Sequence, residues 1–397
     1  MIKNKALIDR FISYVKIDTQ SDEESGLSPS TAKQHDLAKV LVSELEAMGA
    51  SEIHYDKEHC YVYACVPGEQ PAIGFIAHMD TSPAVSGANV KPRIIENYQG
   101  EDELLKTEDY PELLNHFGED LIATDGTTLL GADDKAGVAE IMDMAEYFLT
   151  HPDVKHREIR IAFTPDEEIG AGTDHFDIEE FQAKEAYTVD GGKLGIIEYE
   201  NFNAAAAKIK VHGKSVHPGS AKGIMLNALT LAMEFNSLLP ASEKPEFTEG
   251  YEGFYFLESM KGDVEETELS YIIRDHNFEK FESRKALMQS TVEFLNKKYP
   301  AGTFEIEMKD QYYNMLSHMK DHMSLIENAK KAFEKLGVNA KSEPIRGGTD
   351  GAMLTYKGVP CPNLCTGGYN YHGRFEYASI QEMEKSAELL KEIAKMI

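Results

Sequence analysis

The chain has 397 residues, with 40 Lys+Arg against 68 Asp+Glu and a formal net charge of −28. At roughly 150 residues per domain this length suggests two or three domains, and 42% hydrophobic with 9% aromatic residues marks a folded chain, not an acidic disordered one. So large an acidic excess excludes phosphate-led nucleic-acid binding and disfavours anionic membrane surfaces, both of which need clustered Lys/Arg.

The opening MIKNKALIDRFISYVKID alternates charge with apolar residues at helical spacing and lacks the apolar stretch of a secretion signal. No run approaches the ~18 apolar residues of a membrane span. Cys60, Cys65, Cys361 and Cys365 form two C-x4-C pairs, readable as a shared zinc, a disulfide or small packing thiols. The spacing is looser than usual for zinc, so buried thiols in a reducing, cytoplasmic setting are expected.

Residues 1–50 read as two helices around the polar loop TQSDEESGLSPST. The second carries Leu37, Val40, Leu41 and Leu45 on one face and stops near Gly49. Ala72–Ala77 is a buried-strand candidate, 84–128 a charged surface excursion with a hairpin, and 133–149 an amphipathic helix. Ile159–Phe163 and Tyr187–Val189 are further strands. Such alternation suits an α/β sheet covered by helices. The pattern changes near residue 204. Ala204–Val211 reads as a strand, 222–240 as a helix, Tyr255–Glu258 and Glu268–Arg274 as strands, 278–298 as a helix and Thr303–Met308 as a strand. That order predicts a separate α+β sandwich. The first pattern resumes near 317, with a helix over 321–336 and a last helix opened by the capping box Ser379-Ile-Gln-Glu382. The expected architecture is one α/β domain, 1–203 and 317–397, interrupted by an α+β domain over 204–316.

Ligands of open α/β sheets gather beyond the carboxyl ends of the strands. H-x-D occurs four times, but only His78-Met79-Asp80 follows a buried-strand candidate. There His78 could bind a metal through one ring nitrogen while Asp80 orients it from the other side. Gly131-Ala-Asp133-Asp134-Lys-Ala-Gly137 is either a Gly-started turn with an aspartate N-cap or a second source of ligands. Thr164-Pro-Asp-Glu167-Glu168 follows the next strand. Its glutamates are a solvated pair, or a metal ligand beside a general base. Asp190 ends another strand, and His372 stands in a Gly/Tyr loop. Two imidazoles with three carboxylates suit a pair of zinc ions, one carboxylate bridging and each metal keeping a position for water. Calcium is less apt, because histidine is a poor ligand for it.

The segments IAHMDTSP (76–83), LLGADDKAGVAEIM (129–142), FTPDEEIGAGT (163–173), YTVDGG (187–192), VHGKSVHPGSAKGIMLNA (211–228), RGGTDG (346–351) and YNYHGRFEY (369–377) together resemble the zinc-dependent exopeptidases and deacylases of the aminoacylase/carboxypeptidase type. The resemblance spans essentially the whole chain and is nearest to the tripeptide aminopeptidases of that family. It implies a mixed-sheet catalytic domain with an inserted ferredoxin-like lid and dimerisation domain. It also implies two zinc ions per subunit: His78 and Asp190 on one, Glu168 and His372 on the other, and Asp133 bridging, with a cis peptide after Asp133. Asp80 would be the orienting carboxylate and Glu167 the catalytic base. His217, reaching across a homodimer, would stabilise the oxyanion, though alone it reads as a turn histidine before Pro218. Arg274, Arg346 and Asn227 would take the C-terminal carboxylate of a tripeptide; alone, either arginine could simply pair with an acid. A dipeptidase, a carboxypeptidase or an N-acyl amino acid deacylase shares the same metal set and is the alternative. A non-catalytic scaffold should have lost the base or a ligand, and none is missing.

Overall fold

The short apolar runs become strands of one eight-stranded sheet, ordered Ser51–Tyr55, Val62–Val66, Arg157–Thr164, Glu69–His78, Ala186–Gly191, Asn363–Cys365, Ile196–Glu198 and Lys341–Ser342. This is a computed structural model, and it describes residues 2–396. The sheet is mixed. Arg157–Thr164, Glu69–His78 and Ala186–Gly191 run parallel, while Val62–Val66 is antiparallel to its neighbours. Glu69–His78 is buried from Ala72 onward and Val62–Val66 throughout. That explains their continuous apolar runs, because strands covered on both faces have no solvent side to make polar.

The helix Ala132–Thr150 is not amphipathic as expected. It is buried almost continuously from Ala132 to Ala145, because it packs between the sheet and the helices Lys5–Tyr14 and Ile380–Ala394. Its approach to the sheet is set by Gly137, where a Cβ would lie 1.8 Å from the Val189 carbonyl oxygen. The excursion also differs from expectation. Arg93–Ile95 and Leu121–Ala123 do pair as antiparallel strands, but Tyr377–Ser379 and Gly368–Tyr369 extend them into a second sheet. Tyr98, Leu105 and Leu113 are buried there with Tyr369 and Tyr377.

The chain divides into two units: Met1–Tyr199, Ser317–Glu343 and Thr349–Ile397 form the first, and Glu200–Leu316 with Pro344–Gly348 the second. In the second, Phe254–Gly262, Glu266–Asp275, Asn203–His212 and Phe304–Tyr312 make an antiparallel sheet in that order. Helices Ala228–Leu238 and Phe278–Lys298 complete a βαββαβ, ferredoxin-like arrangement. Alternate residues such as Leu269, Tyr271 and Ile273 face Phe235, Phe281 and Leu295 in its core, each side chain contributing roughly 1.5–3 kcal/mol by burial. The first of these helices starts later than the expected 222. Gly223 has φ +73°, and Asn227 caps the helix by accepting the Leu229 and Thr230 amides. Pro344–Gly348 joins this unit because the Arg346 guanidinium donates to the Gly250 and Glu252 carbonyls and to Thr248. Among the described residues no helix is long and apolar enough to cross a membrane. All four cysteines are buried and free.

Candidate metal centre

Three parallel strands deliver their acids and histidine to one edge of the first unit. The register pairs His78 with Thr164 and Ile76 with Thr188, so His78, the Glu167–Glu168 turn and Asp190 all emerge at the carboxyl ends. The other H-x-D copies do not gather there: His54, His151 and His175 are exposed.

Asp133 lies between the two histidines. Its Oδ1 is 2.9 Å from His78 Nε2 and its Oδ2 3.2 Å from His372 Nε2. Asp190 Oδ1 is 3.4 Å from His78 Nε2, and Glu168 Oε2 is 2.9 Å from His372 Nε2. Gly131 at φ +82° and non-helical angles at Asp133 and Asp134 break the start of the helix, and the Asp133–Asp134 peptide is cis. Asp134 is already engaged by backbone, accepting the His78 amide through Oδ2 and the Gly137 amide through Oδ1.

Asp80 is fully buried. Its Oδ1 is 3.2 Å from His78 Nδ1, and its two oxygens accept the Glu167 and Glu168 amides at 3.0 and 3.2 Å. Asp166, at φ 55°, holds the same turn from the other side. It accepts from the Ser30 amide and hydroxyl and from Gln34 Nε2, while its own amide donates to Gln34 Oε1.

The electrostatics follow from crowding. Burial would lower His78, but Asp190, Asp133 and Asp80 hold it well above its ordinary value. His372 is pushed up to about 11 by its bonds to Asp133 and Glu168. Burial would raise Asp133, yet the two imidazoles hold it below the usual carboxylate range. Asp190 goes up to about 8 through burial, with Asp133 adding to it. Glu167 is pushed well up by burial and then by Asp190. The protein supplies too little positive charge for these acids.

Divalent cations fit that excess. His78, Asp133 and Glu168 have ligand atoms within 4.8 Å of one another, as do His78, Asp134 and Asp190. Glu168 Oε1 is buried without a hydrogen-bond partner among the described residues. A mixed imidazole–carboxylate set of this kind suits zinc.

Four predicted residues lie in the second unit. His217 is exposed, and its Nδ1 accepts the Gly219 amide at 3.1 Å. Asn227 is the helix cap already described. Arg274 donates to the Ala205 and Ile273 carbonyls and lies over the Tyr312 ring. Arg346 lies over Phe202 and Phe254. Among the described residues neither guanidinium forms a salt bridge to a carboxylate. Asp134, Asp166 and Glu376 were not singled out from sequence. They lie in the segments 129–142, 163–173 and 369–377, but their partners are backbone amides and distant loops, which leave no local pattern.

The family model for the peptidase dimerisation domain matches residues 199–303. The chain is 51% identical to peptidase T of Alkaliphilus oremlandii, covering 99% of each chain. It is 53% identical to peptidase T of a Geobacillus species, covering 100% of this chain and 99% of that one. In fold it is similar to the crystal structure of aminopeptidase PepT from Bacillus cereus, with a TM-score of 0.79 at 24% identity, covering 99% and 98%. A tripeptidase from Staphylococcus aureus gives 0.80 at 22% identity, covering 100% and 99%. The mixed-sheet fold with its separate antiparallel domain is the expected one, and on sequence identity over its full length the chain belongs to the peptidase T family.

Proposed function

We propose that the protein is a dinuclear zinc aminopeptidase that removes the N-terminal residue from tripeptides, acting as a cytoplasmic homodimer. The observation that carries this is Asp133 set between His78 and His372, with Glu167 and Glu168 on the adjoining turn. His78 and Asp190 would hold one ion, Glu168 and His372 the other, and Asp133 both. Asp134 also lies within reach of His78 and Asp190, but its oxygens accept the His78 and Gly137 amides, which suits it to holding the backbone beside the set. Zinc in such a set lowers the pKa of water toward neutrality and polarises a carbonyl.

The chain's own groups do the rest. Burial raises the Glu167 carboxyl, and a raised pKa makes its carboxylate a stronger base, which suits a group that takes a proton from the attacking water and returns it to the leaving amine. Asp80 keeps the His78 ring and the Glu167 backbone in register. With Nδ1 accepting from Gly219, a neutral His217 carries its proton on Nε2, the form that can donate to an oxyanion. Among the described residues Arg274 and Arg346 have no carboxylate partner, which suits charge-assisted capture of a substrate carboxylate, Arg346 exchanging bonds to Thr248, Gly250 and Glu252 to do so, with Asn227 beside them in role. Likeness to peptidase T proteins over the full chain favours tripeptides over the dipeptidase, carboxypeptidase and deacylase alternatives.

The test is release of free amino acid from a neutral tripeptide, a dipeptide and an N-acetyl amino acid, with and without chelator. Tripeptide turnover abolished by chelator and restored by zinc is expected. No turnover of any of the three by the zinc-loaded protein overturns the enzymatic reading. A preference for the dipeptide overturns only the substrate.

A further inference from the structure

Glu376 is 1% exposed, and both its oxygens are used by one short stretch of backbone. Oε2 accepts the Leu130 and Gly131 amides at 2.7 and 2.8 Å, and Oε1 accepts the Asp133 amide at 3.1 Å. These donors are separated from it by more than 240 residues, so nothing local dictates the contact. Gly131 supplies no side-chain cap to the helix Ala132–Thr150, whose start is kinked at Asp133 and Asp134, and the Glu376 carboxylate from another loop takes up the amides around that start.

Two further facts give this clamp direction. Glu376 follows His372 by four residues, in a loop closed by the Asn370 Nδ2 bond to the Phe375 carbonyl and the Glu376 amide bond to Gly373. The next residue opens Tyr377–Ser379, which is paired on both sides in the second sheet. Glu376 is therefore fixed at its own base, and it fixes both the loop that presents His372 and the backbone that presents Asp133.

We propose that Glu376 is a positioning residue for the metal pair: its carboxylate sets the 130–133 backbone and so holds the Asp133 carboxylate between His78 and His372. This rests on the reading of Asp133 as the bridging ligand. The residue touches neither substrate nor metal and acts through the Asp133 amide. Outer-shell partners of this kind typically govern metal affinity by about 10–100-fold.

The test is titration of the metal-stripped full chain with Zn²⁺ and with Co²⁺, following affinity calorimetrically and the Co²⁺ site by its visible absorption. Glu376→Gln turns one acceptor oxygen into a donor facing an amide N–H. It should weaken metal binding at least about 10-fold, shift the Co²⁺ bands, and lower kcat with KM within about twofold. Glu376→Asp keeps both acceptors on a shorter stem and should fall between wild type and Glu376→Gln; it carries the same test where the Gln variant does not fold. Glu384→Gln is the control. That carboxylate also accepts two backbone amides, those of Lys3 and Asn4, away from the metal residues, and its loss should lower thermal stability without moving metal affinity or the Co²⁺ spectrum. Glu376→Gln with wild-type affinity and spectrum overturns the role of Glu376. Wild type that takes up neither metal overturns the metal-site reading, and this inference with it.

Discussion

Asp80 Oδ1 accepts the backbone amide of Glu167 at 3.0 Å. The same oxygen lies 3.2 Å from His78 Nδ1, and the second oxygen takes the Glu168 amide. One buried carboxylate thus ties a strand-end histidine to the turn that carries both glutamates. A hydrogen bond to a charged group is worth about 1.5–3 kcal/mol, and stranding a buried donor costs about 1–3 kcal/mol. Asp80→Ala should therefore disturb both neighbours. The expected outcome is zinc affinity reduced about 10–100-fold and a loss of kcat that saturating zinc does not fully restore. Full recovery at high zinc would confine Asp80 to orienting His78.

The two glutamates should separate cleanly. Glu168 Oε2 contacts His372 at 2.9 Å, so Glu168→Ala should lose bound metal. Glu167→Ala should keep the metal content of the wild type while turnover falls roughly 10²–10⁴-fold, the scale of general-base loss. Metal analysis of the two purified variants decides it. Metal loss in Glu167→Ala with retention in Glu168→Ala would exchange their roles.

What could be read from sequence follows the range of the interactions involved. The strands leading to His78, Thr164 and Asp190 each finish in a short, buried, mostly apolar run, and parallel register then brings their acids together, so the site's edge was legible. The helix Phe278–Lys298 was legible because its boundaries are local. The start of Ala228–Leu238 was misplaced because the apolar pattern runs on through 222–227, and only the Asn227 cap and the positive φ of Gly223 stop the helix. The second sheet was missed because Leu121–Ala123 and Tyr377–Ser379 are three-residue strands, too short for periodicity, that meet across some 250 residues of chain. Glu376 and Asp166 escaped for the same reason.

Burial pushes the Glu198 carboxyl up to about 7, although Asn363 Nδ2 donates to it. Asn363 in turn accepts the Asp190 amide through Oδ1. A raised folded pKa means that the unfolded chain ionises first, near its usual ~4.3. The contribution of neutral Glu198 to stability is complete below that value and is lost as pH rises through about 7. Glu198→Gln retains an oxygen for Asn363 and cannot ionise. Its stability relative to wild type should improve by on the order of 2 kcal/mol between about pH 4 and pH 8, solvent screening included. Urea unfolding of both metal-stripped chains at the two pH values measures this. A difference that does not change with pH would mean Glu198 is ionised in the fold.

His217 offers the sharpest test of assembly. Its Nδ1 is occupied by the Gly219 amide, which leaves the Nε2–H to donate elsewhere. If that donor serves the active site of a second copy, His217→Ala should cut kcat about 10²–10³-fold, the scale of a lost oxyanion donor, with metal content unchanged. Glu167→Ala is inactive for a different reason. After subunit exchange, a mixed dimer of the two variants holds one site with an intact Glu167 and an intact His217 from the other chain. Half of the dimers in an equal mixture are mixed, and half of their sites are whole, so about a quarter of wild-type activity should return. A donor acting within its own chain gives no recovery, because each chain then carries a defect in its only site. The size of the recovered activity therefore separates an active site completed across the dimer from one that each chain completes alone.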